Sequence, residues 1–95
     1  MEKKEYMDKM EERLAQYNVK LAQMRAKALQ VQTDMRREYI GQVKMLESKR
    51  DSLRETFGQL KEASTSAWED AKDGTEKAFL DLKDTFDKIK NRFMF

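Results

Sequence analysis

Apolar residues fall at Met7, Met10, Leu14, Tyr17, Leu21, Met24, Ala28, Val31 and Met35, in alternating steps of three and four through four heptads without a gap. A mean step of 3.5 residues holds one stripe on one side of an α-helix, provided helices wrap around each other in a left-handed sense. A strand would need a step of two. The stripe therefore dictates a helix, and it also demands a cover.

The rest of the chain offers little to oppose that reading. Proline and cysteine are absent, only three glycines occur in 95 residues, and Ala, Leu, Lys, Glu, Gln, Arg and Met crowd every window. Helix propensity is high throughout, and runs of strand-favouring residues are missing, so the expected class is all-α. With 40% charged residues the composition approaches that of disordered chains, yet such chains do not keep apolar residues in helical phase. Hydrophobic residues amount to 39% and are spread along a stripe, so much of it is expected to need a second helix. Methionine fills gaps but specifies geometry poorly, which points to a tolerant seam.

Beyond Met35 the stripe continues at Tyr39, Val43 and Leu46, two successive steps of four that shift the heptad phase. Such a stutter relaxes a supercoil without ending the helix. Gly41 lies in this stretch and weakens it by about 1 kcal/mol relative to alanine. The stripe resumes at Leu53, Phe57 and Leu60, with Arg50 at the one intervening seam position, a register or solubility device rather than a ligand site. One long coiled-coil helix is thus expected over 1–62, with its stutter near 35–43.

From residue 55 an eleven-residue phrase appears: ETFGQLKEAST, SAWEDAKDGTE, KAFLDLKDTFD. Its third position is Phe57, Trp68 and Phe79, its sixth is Leu60, Ala71, Leu82 and then Phe93, and its seventh is Lys61, Lys72 and Lys83. Eleven residues in three turns make a nearly straight helix with a wide apolar arc. That arc, Trp68, Ala71, Phe79, Leu82, Phe86, Ile89 and Phe93, defines an amphipathic helix over 67–95. Lysines border it, where their stems cover apolar surface. Pairs such as Asp73 with Lys77, Lys77 with Asp81, Lys72 with Glu76, Lys83 with Asp87 and Asp84 with Lys88 support the helix at i,i+4 spacing.

The candidate turn is 63–66, Ala63-Ser64-Thr65-Ser66, because Ser66 followed by Glu69 reads as a capping box. The eleven-residue phase passes through it undisturbed, as a continuous rod would require. A hairpin covers the aromatic face of the second helix, and for that reason a helical hairpin is favoured over a rod of about 140 Å.

Reaction chemistry finds no footing. Histidine and cysteine are absent, which removes the commonest general base, thiol nucleophile and transition-metal ligands. The carboxylates alternate with lysines on solvated faces, and no glycine-rich loop is available to cradle phosphate. No catalytic, cofactor-binding or metal-binding residue is expected. Arg36-Arg37 and Lys49-Arg50 are interrupted by acidic neighbours and the formal net charge is only +2, a balance that disfavours nucleic acid. No stretch is long and apolar enough for a signal peptide or membrane span, so a soluble, cytoplasmic protein is expected.

The string SAWEDAKDGTEKAFLDLKDTFDKIKNRF, with LKEAS before it and EYMDKMEERLAQY near the start, resembles a family of small bacterial coiled-coil proteins of the cyanobacterial stress-response type. The resemblance covers nearly the whole chain and is most specific at Trp68 to Lys72 and Phe79 to Lys83. It implies a stress-associated, non-enzymatic role. The chain departs from the family in having Phe79 where a second tryptophan is common, and in its apolar ending Phe93-Met94-Phe95. Eleven-residue amphipathic helices are also similar to those of desiccation-protective and lipid-surface proteins. Together these features predict a homo-oligomeric scaffold whose Met7 to Met35 seam joins chains. The alternative is an amphipathic helix that binds lipid surfaces or unfolding client proteins.

Overall fold

The computed structural model describes residues 3–93, and the end of the apolar tail, Met94-Phe95, lies outside them. Helix α1 runs over Lys3–Ala26, a 3-10 turn over Lys27–Gln30, helix α2 over Thr33–Glu62 and helix α3 over Trp68–Phe93, with no strand among the described residues. The chain is all-α. Its extents of 51 × 17 × 17 Å exclude a rod and fit three helices side by side.

Neighbouring helices run antiparallel. The Lys3 ammonium, at the start of α1, donates to the carbonyls of Lys61 and Ala63 at the end of α2, at 3.4 and 3.3 Å. Between α2 and α3, Lys49 meets Asp81 at 2.6 Å and Glu38 meets Arg92 at 2.6 Å. Helices α1 and α3 are therefore parallel, with α2 packed between them in sequence and against both.

The single helix expected over 1–62 is a pair of helices, and this is the main correction. The chain leaves helical geometry at Val31 (φ −76°, ψ 141°) and Gln32 (φ −52°, ψ 141°), and it reverses there without glycine or proline. Side chains from α2 make the reversal possible. Arg36 Nε donates to the Ala28 carbonyl at 3.1 Å, and its Nη2 donates to those of Leu29 and Val31 at 3.2 Å each. Tyr39 Oη donates to the Met24 carbonyl in the buried interior. A helix end exposes carbonyls that lack intrahelical partners, and these two residues supply them. The stutter near 35–43 accordingly marks no relaxed supercoil: Met35 to Val43 are the opening turns of a new helix.

The candidate turn at 63–66 falls between α2 and α3. It is Ser64, not Ser66, whose hydroxyl accepts a backbone N–H, from Ala67 at 3.3 Å, and Ser64 and Ser66 bond each other at 3.1 Å. Within α3, Thr75, Phe79, Leu82 and Ile89 are buried and Trp68, Ala71, Phe86 and Phe93 are half-buried on the same face. Trp68 and Phe79, and Ala71, Leu82 and Phe93, recur at eleven residues on that face, which packs on the α2 column of Tyr39, Val43, Leu46, Leu53, Phe57 and Leu60. Arg50 occupies the expected seam position and donates to Asn18 of α1 at 3.3 Å.

The core is continuous from end to end. Tyr39, Leu46, Leu53, Leu60 and Leu82 are 0% exposed, and the α1 stripe packs on the same cluster. The α1 stripe is thus covered by other helices of the same chain, which supply the second helix that the stripe demands. Among the described residues, no helix is long and apolar enough to cross a membrane.

Two stability results follow from this packing. Leu53→Ala removes a fully buried side chain at the meeting of the helices and is expected to cost about 2–5 kcal/mol in denaturant unfolding. A Cβ at Gly41 or Gly74 would meet nothing within 4 Å. Both sit inside helices, so Gly41→Ala and Gly74→Ala should each add about 1 kcal/mol in the same measurement.

Candidate functional site: the groove between α1 and α3

Nearly all of the interface residues named from the sequence come together in one interior. Met7, Met10, Leu14, Leu21, Met24, Tyr39, Val43, Leu46, Leu53, Phe57, Leu60, Phe79, Leu82 and Ile89 are buried in it, and Tyr17, Ala28, Val31, Trp68, Ala71, Phe86 and Phe93 are half-buried against it. Met35 is half-buried in the first turn of α2, outside that cluster.

The sequence reading missed Tyr6 and Thr75. Tyr6 is 4% exposed because its ring meets Trp68 edge-on, with centroids 5.7 Å apart, while its hydroxyl donates to Glu76 at 2.7 Å. Thr75 is fully buried and satisfies its hydroxyl on the Ala71 carbonyl at 2.9 Å. The signal for Thr75 was its place four residues before Phe79 on the apolar face. Tyr6 lies one residue off the stripe and carries no such mark.

The three sides of the bundle differ. α2 approaches both neighbours closely, whereas no Cα of α1 comes within 8 Å of one in α3. Aromatic rings bridge the wider gap: Tyr17 lies 6.3 Å from Phe79 and 6.2 Å from Phe86 between centroids. Above these rings the gap stays open as two crevices end to end, of about 370 and 340 Å³, separated by Lys20. Leu80, 58% exposed, stands on the α3 side of the first crevice.

The lips of this groove are in heptad register. Tyr6, Arg13 and Lys20 on α1, with Lys27 at the start of the 3-10 turn, form one column, and Glu76, Lys83 and Lys90 form its counterpart on α3. At the first level the columns are complementary, for Glu76 accepts from Tyr6 and pairs with Arg13 at 4.0 Å. Seven residues further on, Lys20 and Lys83 line the same crevice; after another seven, Lys27 and Lys90 line the next. Cations also rest over the rings, Arg13 at 5.9 Å from Phe79 and Lys20 at 5.2 and 5.5 Å from Tyr17 and Phe86. Asp87, on the α3 side, pairs with Lys83 at 3.4 Å, one of the i,i+4 pairs expected from the sequence. Asp81 instead reaches across to Lys49 of α2, and Glu76 to α1.

Comparison of the chain with known protein families, with characterised proteins and with solved structures returns no match. The family resemblance consequently rests on the quoted residues alone.

All three tyrosines are held neutral. Burial raises the phenol pKa of Tyr6, Tyr17 and Tyr39 above the ordinary 10.0, and for Tyr6 the bond to the Glu76 carboxylate raises it further. A phenol with a raised folded-state pKa contributes stability that is complete below the unfolded value and is lost as the pH climbs through the folded one. The thermal unfolding temperature should therefore fall steeply above about pH 10. Tyr6→Phe, which cannot ionise, should flatten that fall, as followed by far-ultraviolet circular dichroism.

Proposed function

We propose that this chain is a non-enzymatic structural and interaction protein that self-associates by exchanging α1 between copies. The supporting observation is that the seven-residue stripe runs through Met24, Ala28, Val31 and Met35 without interruption, although the chain reverses in the middle of it. Local sequence thus supports a continuous helix over 27–35 as well as the reversal. In a continuous helix the carbonyls of Ala28, Leu29 and Val31 would accept from the backbone four residues on. Arg36 occupies those carbonyls in the closed form.

Opening the reversal frees the α1 stripe, the α2 column and the aromatic face of α3 together. A second open copy restores every one of those contacts, since the exchanged α1 is identical. The equilibrium then depends on concentration, with the closed bundle favoured when copies are dilute. The stress association implied by the family resemblance belongs to the same proposal, as a condition that shifts the closed and exchanged forms. The alternative, binding of lipid or unfolding clients by α3, requires that helix to leave the bundle and expose Phe79, Leu82 and Ile89, which are buried in the closed form.

Two substitutions separate the forms. Gln32 already has φ −52° and Val31 ψ 141°, so Gln32→Pro fits the reversal, while a proline inside a continuous helix costs about 3 kcal/mol. By light scattering across a concentration series, the wild type should gain dimer with concentration, Arg36→Ala should do so at lower concentration, and Gln32→Pro should remain monomeric. A wild type and an Arg36→Ala variant that both stay monomeric into the millimolar range would refute the exchange.

A further inference from the structure

We propose that the methionines of α1 form a peroxide-sensitive modification site, and that converting Met7 and Met24 to sulfoxides releases α1 from the bundle. The first ground is where the thioethers lie. Among the described residues the core holds the methionines Met7, Met10 and Met24, and all of them belong to α1. The buried positions of α2 are tyrosine, valine, leucine and phenylalanine, and α3 contains no methionine over Trp68–Phe93. With cysteine absent from the chain, thioethers are its most readily oxidised groups, and within the interior they all stand on one helix.

The second ground is access. Met24 lines the crevice of about 340 Å³ between α1 and α3, and Met7 lines a further crevice of about 410 Å³ beside Lys61, where α1 begins and α2 ends. Hydrogen peroxide is little larger than water and fits either crevice. Met10 is 3% exposed and lines neither of them, so its sulfur becomes reachable only when α1 lifts.

The reaction is an oxygen transfer. A sulfur lone pair attacks one peroxide oxygen as the O–O bond breaks; that oxygen stays on sulfur as the sulfoxide, and the other leaves with both protons as water. Sulfur is oxidised and peroxide reduced, with no further reactant. A strongly polar sulfoxide without a donor is costly in an apolar seam, so it turns out to water and takes its side chain off the core. Met7 lies near the start of α1 and Met24 near its end, so both ends lose an anchor. No Cα of α3 comes within 8 Å of α1 to hold those ends from the other side. Met10 is uncovered next, and its oxidation keeps α1 from settling back. Exchange of α1 between copies plays no part in this, because an exchanged α1 carries the same sulfoxides to the same surfaces and both forms are weakened alike.

Trp68 supplies the readout. It is the one tryptophan of the chain and its ring meets Tyr6 of α1 edge-on at 5.7 Å, so its emission reports the departure of α1. The test exposes the Gln32→Pro chain, which cannot exchange α1, to hydrogen peroxide and follows Trp68 emission together with the sulfoxide content of each methionine by peptide mass spectrometry. Met45, 41% exposed on α2, should oxidise first and leave the emission unchanged. Met7 and Met24 should follow, with a red shift of the emission in step, and Met10 should come last. Leucine is close to methionine in volume and is not oxidised by peroxide. Met7→Leu with Met24→Leu, in the same background, should therefore keep its emission under the same exposure and oxidise at Met10 at least tenfold more slowly. Treatment of the oxidised parent with methionine sulfoxide reductase should restore the emission. Met10 oxidising as fast in the double variant as in its parent would overturn the proposal, as would an emission that stays fixed once Met7 and Met24 of the parent are fully converted. Oxidation of Met7 and Met24 no faster than that of Met10, or a red shift that survives the reductase, would contradict it equally.

Discussion

Everything in this fold depends on α2 being covered along its length by the two other helices of the same chain. Leu46, Leu53 and Leu60 recur every seven residues, are fully buried, and receive the α1 stripe on one side and the α3 face on the other. Burying such side chains is worth roughly 1.5–3 kcal/mol each, and in so small a domain no other source of stability is comparable. The ion pairs lie mostly at the surface and contribute far less. They do set which residues face which: Lys49 with Asp81 and Glu38 with Arg92 fix the register of α3 on α2.

The cover is not symmetrical, and that asymmetry gives the surface its character. Aromatic residues concentrate where α1 faces α3, and rings as large as Tyr17 and Phe86 hold those helices apart. A spacing too wide for close backbone approach leaves a groove, and the charges on its lips then decide what is compatible with it. At the α1 N-terminal end the lips are complementary and close over Tyr6 and Trp68. Toward the other end Lys20 and Lys83 line one crevice, and Asp87 pairs with Lys83 at 3.4 Å.

Most of the core was legible in the sequence because burial obeys periodicity. The positions from Met7 to Met24 and from Tyr39 to Leu60 pack as the stripe implies, since a helix has only one way to present steps of three and four. The reversal at 27–32 was not legible. Its cause lies in Arg36 and Tyr39, whose bonds to Ala28, Leu29, Val31 and Met24 form only after α2 has folded back. A tertiary contact of that kind leaves no local mark beyond the phase slip after Met35. The eleven-residue phrase continues across the turn between α2 and α3, although Phe57 and Trp68 belong to different helices, so the small hydroxyl residues at 63–66, and not the phrase, marked that turn. The groove needed both helices in place, for only the parallel pairing of α1 and α3 sets Lys20 beside Lys83.

The absence of cysteine from the natural chain permits a direct measurement of the closure. Spin labels at Lys4→Cys and Glu62→Cys, with the labelled chain diluted into an excess of unlabelled protein, report the intrachain distance between the start of α1 and the end of α2. A closed bundle, in which the Lys3 ammonium lies 3.3 Å from the Ala63 carbonyl, gives a short distance at low concentration. A continuous helix would separate those labels by about 90 Å, and that distance in the dilute chain would contradict a core built from one polypeptide.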